Sequence, residues 1–308
     1  MMLRADADHI PAPVHKELLR VATILFEEFE ETTKGRCSKH LRAGRVLALV
    51  LHRPHAGTDW GEVAPGEAFR LLVIVNYPRL ARSDRDWRHV RDRLRRAWEL
   101  GEITHQVRLD VESLERINAA LAEGVPHFVS IASQGIALYQ SEGLRLQSPH
   151  RMPAPDRIAA GRAEYAHWYA RATDFLNGAA FYQWQGNAPM AALLLHQACE
   201  HSYQCILWSL TLHGPRTHAL DELRESAEML VGRLREAWPR ETPFERRAFG
   251  CIRRAYVEVR YGRRYRISRE ELAWAMDRTR TLHALVAAHC GAELELPTPA
   301  SDELCRAS

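Results

Sequence analysis

Three groups of residues in this sequence have types and spacings that could do chemistry. The densest is residues 253–267, RRAYVEVRYGRRYRI, in which Arg253, Arg254, Arg260, Arg263, Arg264 and Arg266 are interleaved with Tyr256, Tyr261 and Tyr265. Guanidinium groups stay protonated and present forked donors that match phosphate oxygens, so such a cluster suits a phosphate or a nucleic-acid backbone. The same arginines have Glu258, Glu270 and Glu271 close by in sequence, with which they could pair on a solvated face. The second group is His196, Glu200 and Tyr203, which helical spacing lines up on one stripe. It reads either as a polar floor opposite Arg254, Arg260 and Tyr261, or as a mutually satisfied His–Glu pair at the edge of a helical bundle. The third is Arg278 with His283. An arginine that holds phosphate charge and a histidine that moves a proton suit metal-independent cleavage of RNA. Within one helix, however, an i, i+5 pair points to faces about 140° apart, which favours coincidence over a site.

Other residues are weaker candidates. His213, Arg216 and His218 surround a helix-ending Gly-Pro, but no third ligand stands at a metal-binding spacing, so no metal is expected. Trp168, Trp184, Trp208 and Trp274 fall at helical core positions and are expected to pack rather than to stack on bases.

The chain that must position these groups has 308 residues and a formal net charge of +3, enough for two domains and only mildly basic. Its positive charge is almost all arginine, the lysines being Lys16, Lys34 and Lys39. The six cysteines, Cys37, Cys199, Cys205, Cys251, Cys290 and Cys305, show no CxxC spacing and read as reduced, packed thiols. The N-terminal residues lack an apolar signal core, and no run approaches the length of a membrane span, so a cytoplasmic protein is expected.

Periodicity divides the chain in two. Residues 13–31 carry apolar positions at helical spacing; 46–51 (VLALVL) and 69–76 (FRLLVIVN) are continuous apolar runs of buried-strand length, with a Gly- and Pro-rich loop between them. A polar helix over 84–100, a third strand over 104–109, a helix over 111–122 and an apolar segment over 128–139 complete a small mixed-sheet α/β domain. The segment 148–156, SPHRMPAPD, is proline-rich and aperiodic, the best boundary in the chain. Beyond it the spacing predicts helices over 157–185, 190–212, 219–235, 243–261 and 268–289, an up-and-down bundle. Asn187 with Pro189 opens the second of these, Gly262 stops the fourth, and Ser268 with Glu270 and Glu271 opens the fifth. The fold class is therefore α+β multidomain.

The stretches LLLHQACEHSYQCILWSLTLHGPRTHALDELR and RRAYVEVRYGRRYRISREELAWAMDRTRTLHALV resemble the HEPN domain, in particular the subfamily shared with sacsin. LLVIVN and ALAEGVPHFVSIASQGIALYQ make the first half similar to the minimal nucleotidyltransferase domain that often precedes such bundles. The resemblance implies a nucleotidyltransferase-like domain over 1–147, a linker over 148–156, a HEPN bundle over 157–292 and a flexible tail over 293–308. An active transferase of that kind needs a Gly-Ser turn after its first strand and paired carboxylates at the second, which hold magnesium. Here His52-Arg53 stand where Gly-Ser would be, and Ala68-Phe69-Arg70 where Asp-x-Asp would be; Asp59 and Glu62 lack the paired spacing. The first domain thus reads as a pseudoenzyme that docks other molecules or binds a nucleotide through Arg53 or Arg70. For the second, the resemblance implies nucleotide or RNA binding, with ATP or GTP as ligand at Arg253, Arg254, Arg260, Tyr261, Arg263, Arg264, Arg266, His196 and Glu200. It also implies a homodimer formed through the bundle and a regulatory, toxin–antitoxin-like or defence role. The alternatives are a ribonuclease using Arg278 and His283, or an interaction module without a small ligand.

Overall fold

The structure is a computed structural model that describes residues 3, 9–34, 38, 42–57, 66–262 and 264–295. Asp59, Glu62, Cys37, Cys305, Arg263 and the tail beyond residue 295 lie outside the described residues. The chain separates into two compact units, Met1–Met152 and Pro153–Ser308.

The first unit is built on a four-stranded sheet in the order β3-β2-β1-β4, with β1 at Val46–His52, β2 at Phe69–Val75, β3 at Val107–Ser113 and β4 at Ile136–Gln140. β1 pairs antiparallel with both β2 and β4, and β2 pairs parallel with β3, so the sheet is mixed. The apolar runs of β1 and β2 take the two central places because both their faces are covered. Leu49, Leu51, Phe69, Leu71, Val73 and Val75 enter one core with Leu18, Val21 and Leu25 of helix α1 (Ala12–Thr33) and Trp87, Val90 and Leu94 of helix α3 (Asp84–Glu99). Between β2 and α3 lies the short helix α2 (Pro78–Arg82). The alternate residues Ala48, Val50, Leu72 and Ile74 are also buried. Helices α4 (Leu114–Glu123) and α5 (Pro126–Gln134) are in contact with the central strands β2 and β1 respectively.

The third strand corrects the sequence reading. It runs over Val107–Ser113 rather than 104–109, and the helix after it starts at Leu114 rather than 111. Ser113 sets that start, since its side chain accepts from the Arg116 amide as an N-cap. The polar residues Asp110 and Glu112 hid the strand; they alternate with Leu109 and Val111, as an edge strand allows. Residues 128–139 resolve into the end of α5 followed by β4.

The second unit is helical: α6 (Ala154–Trp184), α7 (Ala188–Thr211), α8 (Leu220–Leu230), a 3₁₀ turn (Gly232–Glu236), α9 (Pro243–Tyr261) and α10 (Arg269–Glu293). α6 begins inside the expected linker, with Pro153 before it and Pro155 in its first turn. α7 is the axis. Fifteen of its residues, from Ala191 to Ser209, are buried, because α6, α8, α9 and α10 all pack on it. The expected single helix over 219–235 breaks at Val231 into α8 and the 3₁₀ turn. Gly161 permits a close approach: a Cβ there would stand 2.6 Å from the Ser209 carbonyl oxygen of α7 and 2.7 Å from Leu294.

Inside this unit Arg224 is 3% exposed and donates to Glu228 and to the Trp238 carbonyl, with its guanidinium 4.8 Å above the Phe249 ring. Arg240 donates to the other Glu228 oxygen at 3.1 Å. Cys199, Cys205, Cys251 and Cys290 are buried and free. One tryptophan contradicts the packing expectation. Trp184 is 79% exposed: it is the last residue of α6, at the turn into α7, rather than on the packed part of the helix.

Candidate functional site

The arginine-rich segment sits where α9 ends and α10 begins. α9 opens with a capping box, in which Thr242 accepts from the Glu245 amide and the Glu245 carboxylate accepts from the Thr242 amide. Ala248, Phe249, Ile252 and Ala255 bury one face of it at spacings of three and four. The helix stops at Gly262, where a Cβ would come within 2.6 Å of the Glu258 carbonyl oxygen. The connecting segment folds back onto α9, since the Tyr265 hydroxyl donates to the Cys251 carbonyl at 3.1 Å. A second capping box, Ser268 with Glu271, starts α10.

Within this frame the arginines divide. Arg253 donates to Asp221 of α8 at 2.7 Å, and Arg254 pairs with Glu258 at 3.2 Å, so these two are neutralised locally. Arg260 has no carboxylate partner among the described residues; its guanidinium lies 4.8 Å from the Tyr256 ring centre and 5.1 Å from that of Tyr261. Arg264 and Arg266 are exposed and form no hydrogen bond or ion pair among the described residues. Tyr261 is 74% exposed, so a guanidinium covers part of its ring and water reaches the rest. Glu270 and Glu271 do not neutralise the cluster: Glu271 is taken by Arg247, at 2.5 Å, and by the Ser268 cap.

His196 and Glu200 join this site through one ring. His196 stacks on Tyr256 at 5.1 Å, and Arg260 lies over the same ring. His196 Nδ1 is 3.1 Å from the Ile252 carbonyl oxygen, and since a carbonyl only accepts, that nitrogen carries the hydrogen. Its Nε2 stands 3.6 Å from Glu200, too far for a hydrogen bond. Glu200, 6% exposed, accepts from His218 Nδ1 at 2.9 Å and from Gln197 at 3.1 Å. Burial alone would raise the Glu200 pKa, but the two imidazoles beside it outweigh that and hold it below the usual carboxylate value. His218 also stacks on Tyr256, at 4.8 Å. His218, weighed from the sequence only as a metal ligand, lies in the loop after α7, where no periodicity ties it to Glu200. Tyr203, expected on the same stripe, is instead fully buried in the core, where desolvation pushes its pKa well up.

Arg278 and His283 are not brought together. Arg278 is bound to its neighbour Asp277. The His283 ring stacks on Tyr169 at 4.1 Å, with Nδ1 3.0 Å from the Tyr169 hydroxyl and Nε2 2.9 Å from the Thr173 hydroxyl. Thr173 donates its own hydrogen to the Tyr169 carbonyl, so it accepts from His283 Nε2–H, and Nδ1 accepts from Tyr169. Both ring nitrogens are thus spent between α6 and α10, and burial lowers the pKa of the ring.

In the first unit, Arg53 donates to Gln134 at 2.9 Å. Strand register places His52 beside Arg70, and Arg70 beside Arg108, a row of basic groups across β1, β2 and β3. Asp110 and Glu112, two apart on β3, share a face of that strand and were not recognised from the sequence; Asp110 lies 3.8 Å from His127.

With this geometry in view, comparison with known families places a HEPN domain at residues 165–289, that is, from within α6 to near the end of α10. The helical unit therefore carries a HEPN domain, and the arginine-rich segment, His196, Glu200 and His218 all fall inside it. No curated protein matches the chain. No helix among the described residues is long and apolar enough to cross a membrane.

Proposed function

We infer that this protein binds nucleotide or RNA phosphate at the junction of α9 and α10. The observation that carries the reading is the split among the arginines. Arg253 and Arg254 are neutralised by carboxylates, whereas Arg260, Arg264 and Arg266 have none beside the exposed Tyr261. Unneutralised guanidiniums near an exposed aromatic ring suit a phosphate with a base attached, as in ATP, GTP or a short RNA. The HEPN match over 165–289 supports a nucleotide-related role for this unit.

The first unit is read as a nucleotidyltransferase-like pseudoenzyme, supported by its mixed sheet, by His52-Arg53 where the Gly-Ser turn would be and by Ala68-Phe69-Arg70 where paired carboxylates would be needed. A cytoplasmic protein that forms a homodimer through the helical unit, in a regulatory, toxin–antitoxin-like or defence setting, completes the proposal. Titration of the purified chain with ATP, GTP and a short RNA, with and without magnesium, tests it. Saturable binding that survives magnesium removal and is lost in an Arg260→Ala, Arg264→Ala double variant is expected. Binding by neither nucleotide nor RNA, or binding unchanged in the variant, overturns the reading.

A further inference from the structure

Next to the free arginines the helical unit holds a carboxylate–imidazole pair that their phosphate-binding role does not use. Glu200 is buried in the middle of α7 and His218 sits in the loop that follows, its side chain 61% exposed. Since a carboxylate accepts, His218 Nδ1 donates to Glu200, and Nε2 is the nitrogen left for a ligand. In neutral imidazole Nε2 can only accept, and phosphate oxygens also accept. The contact becomes favourable when the ring takes up a second proton and Nε2 donates.

The charges around His218 favour that step once an anion arrives. From α7 it faces Glu200, with His196 behind that carboxylate. From α9 it faces the uncharged ring of Tyr256, against which Arg260 also lies. Three residues ahead, on α8, Asp221 is engaged by Arg253. Arg216 is in its own loop. The Glu200 carboxylate accepts from the ring, while Arg260, against the same Tyr256, opposes a second positive charge there until a phosphate neutralises it.

We propose that His218, oriented by Glu200, is a proton-linked phosphate ligand of this site, and that a phosphate held by Arg260 is bound together with uptake of a proton at His218. This rests on the phosphate-binding reading above. It adds a ligand residue and predicts that affinity rises as pH falls.

The probe is a short RNA with 5′-hydroxyl and 3′-hydroxyl ends. Its phosphodiesters keep one charge each, so protons exchanged on binding come from the protein. Calorimetric titration of the full chain in two buffers of different ionisation enthalpy, near pH ~7.5, reads the uptake. A positive uptake is expected, with affinity strengthening toward pH ~5.5 by at most about tenfold per pH unit, as one proton allows. In His218→Gln, uptake disappears and the pH slope flattens. ATP as a second ligand separates a terminal phosphate from a diester. Saturable RNA binding by the wild type with no proton uptake, or an unchanged pH slope in His218→Gln, overturns the inference while leaving the arginine site standing. Absence of binding at every pH overturns both. Should His218→Gln fail to fold, the two-buffer measurement on the wild type decides alone.

Discussion

His218 Nδ1 lies 2.9 Å from Glu200 Oε1, a hydrogen bond that ties the loop after α7 to the middle of that helix. It gives the candidate site its shape, because both His196 and His218 lean on Tyr256 and Arg260 lies against that same ring.

Glu200 is held below its ordinary value of 4.5, so the folded state keeps the carboxylate charged more readily than the unfolded chain does. Its contribution is fully present above that value and is lost as pH falls through the lower, folded value. Glu200→Gln should lower stability at neutral pH by on the order of 2 kcal/mol. The difference from wild type should shrink in acid. Melting temperature against pH for both proteins checks this; a gap that does not close contradicts the assignment.

Burial, with His105 and Arg70 nearby, pushes the His55 pKa from 6.5 down to about 4. The unfolded chain binds a proton that the folded unit refuses, so stability is complete above 6.5 and drains as pH falls toward 4. The loss over that window is on the order of 3 kcal/mol. His55→Phe, which keeps an aromatic ring against Phe69, should flatten this part of the acid unfolding curve.

Arg224→Ala strands Glu228 in the core with Arg240 as its remaining partner, and should cost roughly 3–5 kcal/mol. Arg254→Ala, which breaks a half-exposed pair with Glu258, should cost less than about 1 kcal/mol. Urea midpoints of the two variants should therefore separate widely. Equal midpoints contradict the burial argument.

Gly161→Ala drives a Cβ toward the Ser209 carbonyl, and backbone cannot swing aside as a side chain can. A loss of about 1–3 kcal/mol is expected from the forced separation of α6 and α7. Gly291→Ala, where a Cβ meets nothing within 4 Å, is the matched control on α10 and should not destabilise.

Much of this architecture was legible because its signals are local. Asn187 and Ser268 mark helix starts by hydrogen bonds to amides three residues away, and the runs in β1 and β2 declare buried strands by composition alone. What escaped depends on contacts distant in sequence. The Glu200–His218 pair spans a loop, β3 is masked by the charged residues of an edge strand, and the exposure of Trp184 follows from its place at the very end of α6. The arginine cluster was visible as charge, but only its ion pairs distinguish Arg253 and Arg254 from Arg260, Arg264 and Arg266.

The central claim is that those three guanidiniums bind phosphate, and the salt dependence of RNA affinity tests it most directly. Fluorescence anisotropy of a labelled single-stranded RNA, measured across a range of salt, gives a slope that reports the phosphates neutralised. Arg264→Ala and Arg266→Ala should each reduce that slope by up to about one, while Arg254→Ala leaves it unchanged. A slope identical in all three variants, or reduced most by Arg254→Ala, would contradict the account.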